Sequence, residues 1–341
     1  MRRTALVTGV GGQDGVLAAR RLIAEGVDVV GTTRPGGSTA MDPYLDGVAR
    51  VAIDLRDGVA LSRLVQELRP DEIYHFAAIS SVGAGRDRPE EVEPVNVGAV
   101  KVLLRSVREY VPGARVFLAS TSEVFGPDAP NPQDESTVLD PQNPYATSKA
   151  QVHALAEAAR AAGTFVTVGI LYNHESPVRP TAFVTRKICR AAAEIASGGR
   201  ESVALGNLHT ARDWSAATDV IEAAVLMARA DDPRDYVVAS GQLHSIRDLV
   251  ETAFSCAGVD DPWSRVTQDP GLMRAGDSPG LIGDASALML DLGWSRQISF
   301  VDLVADMVAV DLERIASGVE EHPRYLSPRP RACKASPVSK A

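Results

Sequence analysis

Thr4-Ala5-Leu6-Val7-Thr8-Gly9-Val10-Gly11-Gly12-Gln13-Asp14-Gly15 decides the fold: a short apolar run breaks into a glycine turn and then into a periodic helix, from about Gly15 to Gly26. A buried strand, a turn with glycines at 9, 12 and 15, and a helix starting at once is the arrangement that binds a dinucleotide. The glycines allow a tight turn, close backbone approach to a pyrophosphate and close helix–strand packing, while the helix's first amides face the phosphates. Glycines alone would fit any βα turn; the strand before and the helix after make the signal.

Outward from this unit the same rhythm repeats. Apolar strands are expected at about 28–33, 48–53, 72–77, 115–119 and 165–171, with helical periodicity at 61–68, 92–110 and 145–162. Short strands alternating with helices indicate an α/β protein with a Rossmann-like, doubly wound parallel sheet. Beyond Tyr172 the alternation stops. Pro177, Pro180, helices at about 182–197, 246–257 and 300–315, and a Pro/Gly-rich loop over 269–283 describe a smaller mixed α/β substrate-binding domain. Residues 1–171 are therefore assigned to the dinucleotide domain, with 213–242 returning to it through a strand at 236–239. Residues 172–212 and 243–320 form the substrate domain, and 321–341, basic and Pro-rich, a disordered tail.

The chain has 341 residues, a net charge of -9 and 23% charged residues, the balance of an ordinary globular protein. Net acidity argues against a nucleic-acid partner, whose binders carry basic faces. Cys189, Cys256 and Cys333 are far apart and odd in number, so neither a disulfide framework nor a metal site is expected. No apolar run approaches the ~18 residues of a membrane span. Glycines from Gly9 onward interrupt the opening stretch too early for a secretory signal, so a cytoplasmic protein without a membrane partner is expected.

Two positions bear on the cofactor. NAD sites place an acid at the end of the second strand, about 20 residues on, to hold the ribose hydroxyls. Here that strand ends Gly31-Thr32-Thr33-Arg34, a cation where a 2′-phosphate would need one, so NADP is expected. Asp54 and Leu55, ending the third strand, are placed for the adenine side, although Asp54 is equally suited to cap the next helix.

Tyr145 and Lys149 stand four apart and share one helix face. An ammonium beside a phenol favours the phenolate, and a tyrosine so tuned can take a proton from a sugar hydroxyl while hydride leaves the same carbon. Thr121 and Ser122 follow the fifth strand, at the edge where open α/β sheets bind ligands. Glu123 is the telling residue. Redox or epimerisation at one carbon needs no carboxylate there, whereas loss of water needs a base for the neighbouring carbon. A nucleotide-sugar epimerase or 4-ketoreductase, and a non-catalytic dinucleotide-binding regulator, are the other readings of this scaffold. The first has no use for Glu123, and the second has no use for Tyr145 and Lys149. Arg186, Lys187 and Arg190 are expected to form a cationic helix face, and Arg212 to add a grip on phosphate.

The chain resembles the GDP-mannose 4,6-dehydratases, within the extended short-chain dehydrogenase/reductase superfamily. The resemblance is carried by Thr8–Gly15, Ser120–Glu123, Tyr145–Lys149, Tyr172–Pro177 (YNHESP), Phe183–Ile188 (FVTRKI), Leu205–Asn207 and Arg212–Trp214. It implies a 4,6-dehydratase acting on a GDP-linked hexose with NADP. It implies catalytic roles for Thr121, Glu123, Tyr145 and Lys149, and dinucleotide contacts at Gly9, Gly12, Gln13, Asp14, Gly15, Arg34, Asp54 and Leu55. Nucleotide-sugar contacts are implied at Ser81, Ser122, Asn173, Phe183, Val184, Lys187, Gly206, Arg212, Arg274 and Asp277. It further implies a homodimer through the 92–110 and 145–162 helices. Two departures stand out. Arg34 is followed by the compact Pro35-Gly36-Gly37 where the family has a longer arginine-bearing loop, which argues against a tetramer. The family's Arg-Pro-x-Glu segment reads Arg274-Ala275-Gly276-Asp277.

Overall fold

A computed structural model describes residues 2–80, 89–273 and 280–327. Twelve strands are found among them: β1 (Thr4–Thr8), β2 (Asp28–Thr33), β3 (Ala49–Ala52), β4 (Glu72–His75), β5 (Arg115–Ala119), β6 (Val166–Leu171), β7 (Asn173–Glu175), β8 (Val203–Leu205), β9 (Ala211–Ala216), β10 (Asp235–Val238), β11 (Leu243–Ser245) and β12 (Val266–Gln268). The helices are α1 (Gln13–Ala24), α2 (Gly58–Leu68), α3 (Ala99–Tyr110), α4 (Pro144–Ala161), α5 (Val184–Ala196), α6 (Ala217–Ala228), α7 (Ile246–Cys256), α8 (Ser286–Leu292) and α9 (Phe300–Ser317).

Seven strands form one parallel sheet in the order β10-β6-β5-β4-β1-β2-β3. Its central strands are apolar on both faces because helices cover both. Ala5 and Val7 of β1 point to the layer holding α1 and α6, whereas Leu6 points to the layer of α2, α3 and α4. The order reverses between β1 and β4, and a crevice opens there at the carboxyl ends of the strands, where such sheets bind ligands. The doubly wound sheet expected from the alternation is therefore present.

The second body packs α5, α7 and α9 with β8 and β9 around Trp214, Phe254 and Phe300. Its small sheets are β11-β9-β7 and the β12-β8 pair. In β7–β9, His174 lies opposite Ser215, which joins this body to the strand following β6.

Two expectations are corrected. The run expected as one helix from Val92 is broken: a helical turn at Pro89–Glu93 and a π-helical segment at Pro94–Gly98 precede α3. Pro94 has no amide to donate, which interrupts the regular ladder. The segment 321–327 is not a solvated tail. Pro323–Leu326 form a 3₁₀ turn whose Tyr325 is fully buried, donates to Val319 O at 2.7 Å and lies under the Arg314 guanidinium. Residues 328–341 lie outside the described residues. No helix among the described residues is long and apolar enough to cross a membrane.

Candidate active site

The turn after β1 is shaped by its glycines. Gly9 has φ +72°, and a Cβ there would sit 2.9 Å from the Ala77 backbone; at Gly15 a Cβ would meet Gly9 O at 2.3 Å. Only hydrogen fits at either place. Gly12 caps α1 without any side chain over the first-turn amides. Those amides have no side-chain cap, a fit for a dinucleotide pyrophosphate at the helix start.

The side chains of Gln13 and Asp14 turn toward the YNHESP segment. Gln13 accepts from Ser176 Oγ at 2.8 Å and donates to His174 O at 3.1 Å. Asp14 Oδ1 lies 3.1 Å from His174 Nε2. His174 Nδ1 is 2.7 Å from Tyr172 O, a carbonyl that can only accept, so the ring satisfies both neighbours only as the imidazolium. Burial alone would push the Asp14 carboxyl up; the charge and hydrogen bond of His174, with Gln13 and Arg179, outweigh it and hold Asp14 at about 2. Burial likewise pulls His174 down, but Asp14 prevails and raises it. Asp14's contribution is present above its unfolded value of 3.8 and is lost as pH falls through about 2; that of His174 is complete below 6.5 and is lost as pH rises past the raised imidazole value. Asp14→Asn is thus expected to cost most stability at about pH 5 and less at about pH 9, as read by urea unfolding. A cost that grows toward alkaline pH would contradict the ion pair.

At the other end of the crevice a cleft of about 280 Å³ is lined by Arg34, Asp54, Arg56, Ile79, Ser80 and Glu91, among others. Asp54 is gripped by Arg56, with Nη2–Oδ2 at 2.6 Å, and this pairing lowers it to about 2. Capping of α2 falls instead to Asp57, which accepts from Val59 N and Ala60 N. Leu55 packs at the rim of the α2–α3 core.

Asn143 caps α4, accepting from Ala146 N at 2.9 Å, with Pro144 in the first turn. This fixes the register in which Tyr145 and Lys149 enter the protein, both buried. Thr121 Oγ1 accepts from Glu123 N at 3.3 Å, which starts the short turn Ser122–Phe125. Thr121, Glu123 and Tyr145 are thereby brought together at the end of β5, with Ser122 buried beneath. The expected lowering of the phenol by Lys149 is not found. Lys149 Nζ donates to Ala119 O at 2.6 Å, and burial pulls the ammonium down to about 8. Burial pushes Tyr145 up to about 12; the Thr121 hydrogen bond opposes it, and the Glu123 charge adds to it. The spacing of four placed both groups on one face, but desolvation decides their proton affinities.

The cationic face expected on α5 is also corrected. Arg186 is buried and bidentate on Asp311, with Nη2–Oδ1 at 2.7 Å and Nε–Oδ2 at 2.8 Å. Arg190 pairs with Glu194 and Glu320, and Lys187 Nζ donates to Ala204 O at 2.7 Å. The basic residues of the helix are taken up by partners on α5 itself, on and after α9, and on β8, because a buried charge is stable only when paired. Phe183 caps α5 beneath the Arg179 guanidinium, 3.5 Å from the ring centre, followed by exposed Val184. Asn173 lies in β7 beside Trp214 of β9, and Arg212, in the same β9, donates to Ala211 O at 2.7 Å. Gly206 has no room for a Cβ, which would meet Leu272 O at 2.5 Å. Ser81, Arg274 and Asp277 lie outside the described residues.

Asn96 was not singled out from the sequence. From the π-helical segment it accepts from Ile79 N at 2.8 Å and donates to Ser148 Oγ at 3.0 Å, tying the crevice wall to α4. The available signal was Pro94 and Gly98 inside a helical run, the mark of a broken helix near a site.

Comparison with known proteins agrees with this geometry. The family model described as GDP-mannose 4,6 dehydratase matches residues 6–307. The chain is 36% identical over 330 residues to GDP-mannose 4,6 dehydratase 2 of Arabidopsis thaliana, covering 92% of this chain and 87% of that one. It is 36% identical over 338 residues to GDP-mannose 4,6-dehydratase sdnI of Sordaria araneosa, covering 93% of this chain and 62% of that longer protein. Among solved structures, a putative epimerase from Burkholderia cenocepacia superposes with a TM-score of 0.81 at 26% identity, covering 91% of this chain and 98% of that one. RMD from Pseudomonas aeruginosa, complexed with NADPH, has the same fold at a TM-score of 0.77 and 24% identity, covering 92% and 99%.

Proposed function

The chain belongs to the GDP-mannose 4,6-dehydratase family, and from that premise we propose that it converts GDP-mannose to GDP-4-keto-6-deoxymannose with NADP held in the crevice. The observation that carries this is the meeting of Tyr145, Thr121 and Glu123 at one strand end: a phenol to deprotonate a hydroxyl, and a carboxylate for the carbon beside it.

Tyr145 takes the proton of the hexose 4-hydroxyl, with Thr121 orienting that oxygen. The nicotinamide, when bound, supplies a hydride acceptor at carbon 4 and the same hydride as donor to carbon 6. Once carbon 4 is a ketone, the carbon 5 proton is acidic; Glu123 removes it and delivers a proton to the departing 6-hydroxyl, which leaves as water. The two protons taken by Tyr145 and Glu123 equal those required by the water and by carbon 5 on its return to a saturated centre. The protein therefore ends each turnover unchanged. Lys149 binds the nicotinamide ribose.

Residues 1–171 with 213–242 hold the dinucleotide, through the 9–15 turn, Arg34, Asp54 and Leu55. The substrate body, 172–212 with 243–320, supplies Asn173, Phe183, Val184, Lys187, Gly206, Arg212, Arg274 and Asp277 to the nucleotide sugar, joined by Ser81 and Ser122. Mass spectrometry of GDP-mannose incubated with the protein and catalytic NADP tests the reaction. A product lighter by one water without accumulation of reduced cofactor supports it; unchanged substrate removes GDP-mannose as the substrate.

NADP rather than NAD rests on Arg34, which lines the cleft next to Asp54 and Arg56. Arg34→Ala is expected to weaken NADP binding by about 10- to 100-fold, the loss of a charge-assisted contact of roughly 1.5–3 kcal/mol, and to leave NAD nearly unaffected. Calorimetric titration with both dinucleotides reads this directly, and equal losses would assign Arg34 no part in discrimination. A homodimer through α3 and α4 completes the proposal. Their outer faces expose Lys101, Arg105, Gln151 and Glu157, so the interface would be polar. A monomer in light scattering at micromolar concentration would exclude it.

A further inference from the structure

Tyr145, Lys149 and His153 stand four apart on α4 and share one helix face, and each meets one of three consecutive residues at the end of β5. Tyr145 lies beside the Thr121 side chain. Lys149 Nζ donates to Ala119 O at 2.6 Å, and His153 Nε2 lies 2.8 Å from Ser120 Oγ. The first two contacts belong to the reacting groups. The third has no part in moving protons or hydride, yet it is the best supported of the three from behind.

His153 Nδ1 is 2.6 Å from Asp235 Oδ2 on β10, and Arg160 donates to the other oxygen at 2.7 Å. Burial would raise the Asp235 carboxyl, but the hydrogen bond and charge of His153, with Arg160, hold it below its ordinary value. An ionised Asp235 accepts from Nδ1–H, and the Ser120 hydroxyl, which can donate or accept, completes the bond at Nε2. The order Ser–His–Asp is that of a hydrolase triad, but Ser120 is 4% exposed and its own amide is bonded to Gly169 O at 2.8 Å. A buried hydroxyl with a fixed backbone attacks no substrate. Holding is what remains for it.

The need for such a hold follows from the helix. Beyond Lys149 the buried apolar side chains of α4 are Val152 and Ala156, small groups that resist rotation or sliding weakly, with Leu155 half-buried at the rim. Apolar contact is non-directional, whereas a hydrogen bond weakens steeply when misaligned. The Ser120–His153–Asp235 chain supplies direction at a point one helical turn from Lys149.

We infer that His153 is a positioning residue for the dehydration: with Ser120 and Asp235 it locks α4 against the end of β5, and thereby sets Lys149 on Ala119 O and Tyr145 beside Thr121. This rests on the dehydratase assignment of Tyr145 and Lys149. The test uses the full chain as Ser120→Ala, His153→Ala and the double variant, with steady-state kinetics on GDP-mannose and calorimetric NADP binding. Each single variant is expected to lower kcat by about 10- to 100-fold, the scale of an ångström-level misplacement, with KM within ~twofold and any loss of NADP affinity, through Lys149, smaller than the loss of kcat. The double variant should be no worse than His153→Ala, because both remove one contact.

Single variants with kcat within ~twofold of the parent, additive losses in the double variant, or losses confined to binding would each overturn the inference. Should His153→Ala not fold, Ser120→Ala decides by the same criteria, since it removes one oxygen and keeps the fold's packing. A parent protein that binds NADP but releases no water from GDP-mannose overturns the dehydratase assignment, and this inference with it. An active parent with unaffected variants overturns the inference alone.

Discussion

Glu123→Gln is expected to slow loss of water by about 100- to 10,000-fold, the usual worth of a general acid–base group, while binding of the dinucleotide and nucleotide sugar stays within a few-fold. The amide keeps the size of the carboxylate and the backbone bond from Glu123 N to Thr121 Oγ1, so the turn at Ser122–Phe125 is unchanged. What it removes is a group able to take a proton from carbon 5. Oxidation at carbon 4 does not use that group, so a single turnover should accumulate reduced nicotinamide and stall. Incubation in deuterated water gives the sharper reading, since no deuterium should enter carbon 5. A variant that still exchanges carbon 5 and releases product at the parent rate would take Glu123 out of the chemistry.

Tyr145→Phe is expected to fall by a similar factor, about 100- to 10,000-fold, but to fail one step earlier. Without the phenol there is no acceptor for the 4-hydroxyl proton, so reduced nicotinamide should not accumulate even in a single turnover. The two variants thus separate by absorbance alone. Tyr145 starts from about 12 because burial favours its neutral form and the Glu123 charge adds to that. Its activity as a base therefore depends on positive charge brought near it. Lys149, pulled to about 8 by burial, still carries most of that charge at pH 7 and loses it as pH rises through about 8. If Tyr145→Phe still reduces the nicotinamide at the parent rate, another group accepts the proton and the assignment fails.

Much of the fold was legible because its signals are local. Apolar strands that end in glycine turns, and helices that begin at caps, are decided by a few adjacent residues; the strands expected at 28–33 and 115–119 match β2 and β5 residue for residue. The break before α3 was written in Pro94 and Gly98 but passed as a single helix, because apolar periodicity runs through it. The dense cluster of Thr121, Glu123, Tyr145 and Lys149 was visible for the same local reason: all four sit at strand ends or in the first turns of a helix, where position follows from sequence.

By itself the sequence determined the parallel sheet, the dinucleotide turn and the sharing of one helix face by Tyr145 and Lys149, since periodicity and glycine sterics act within a few residues. The tertiary structure decided what each charge meets. Arg186 reads as one cation of a basic face, but it is buried on Asp311, 125 residues away. Tyr325 reads as part of a tail, but it is closed under Arg314. Lys149 reads as the partner of a phenol, but it is held on Ala119 O in a place where burial lowers its proton affinity. Electrostatic free energy depends on distance and on loss of water, and neither is a property of neighbours along the chain.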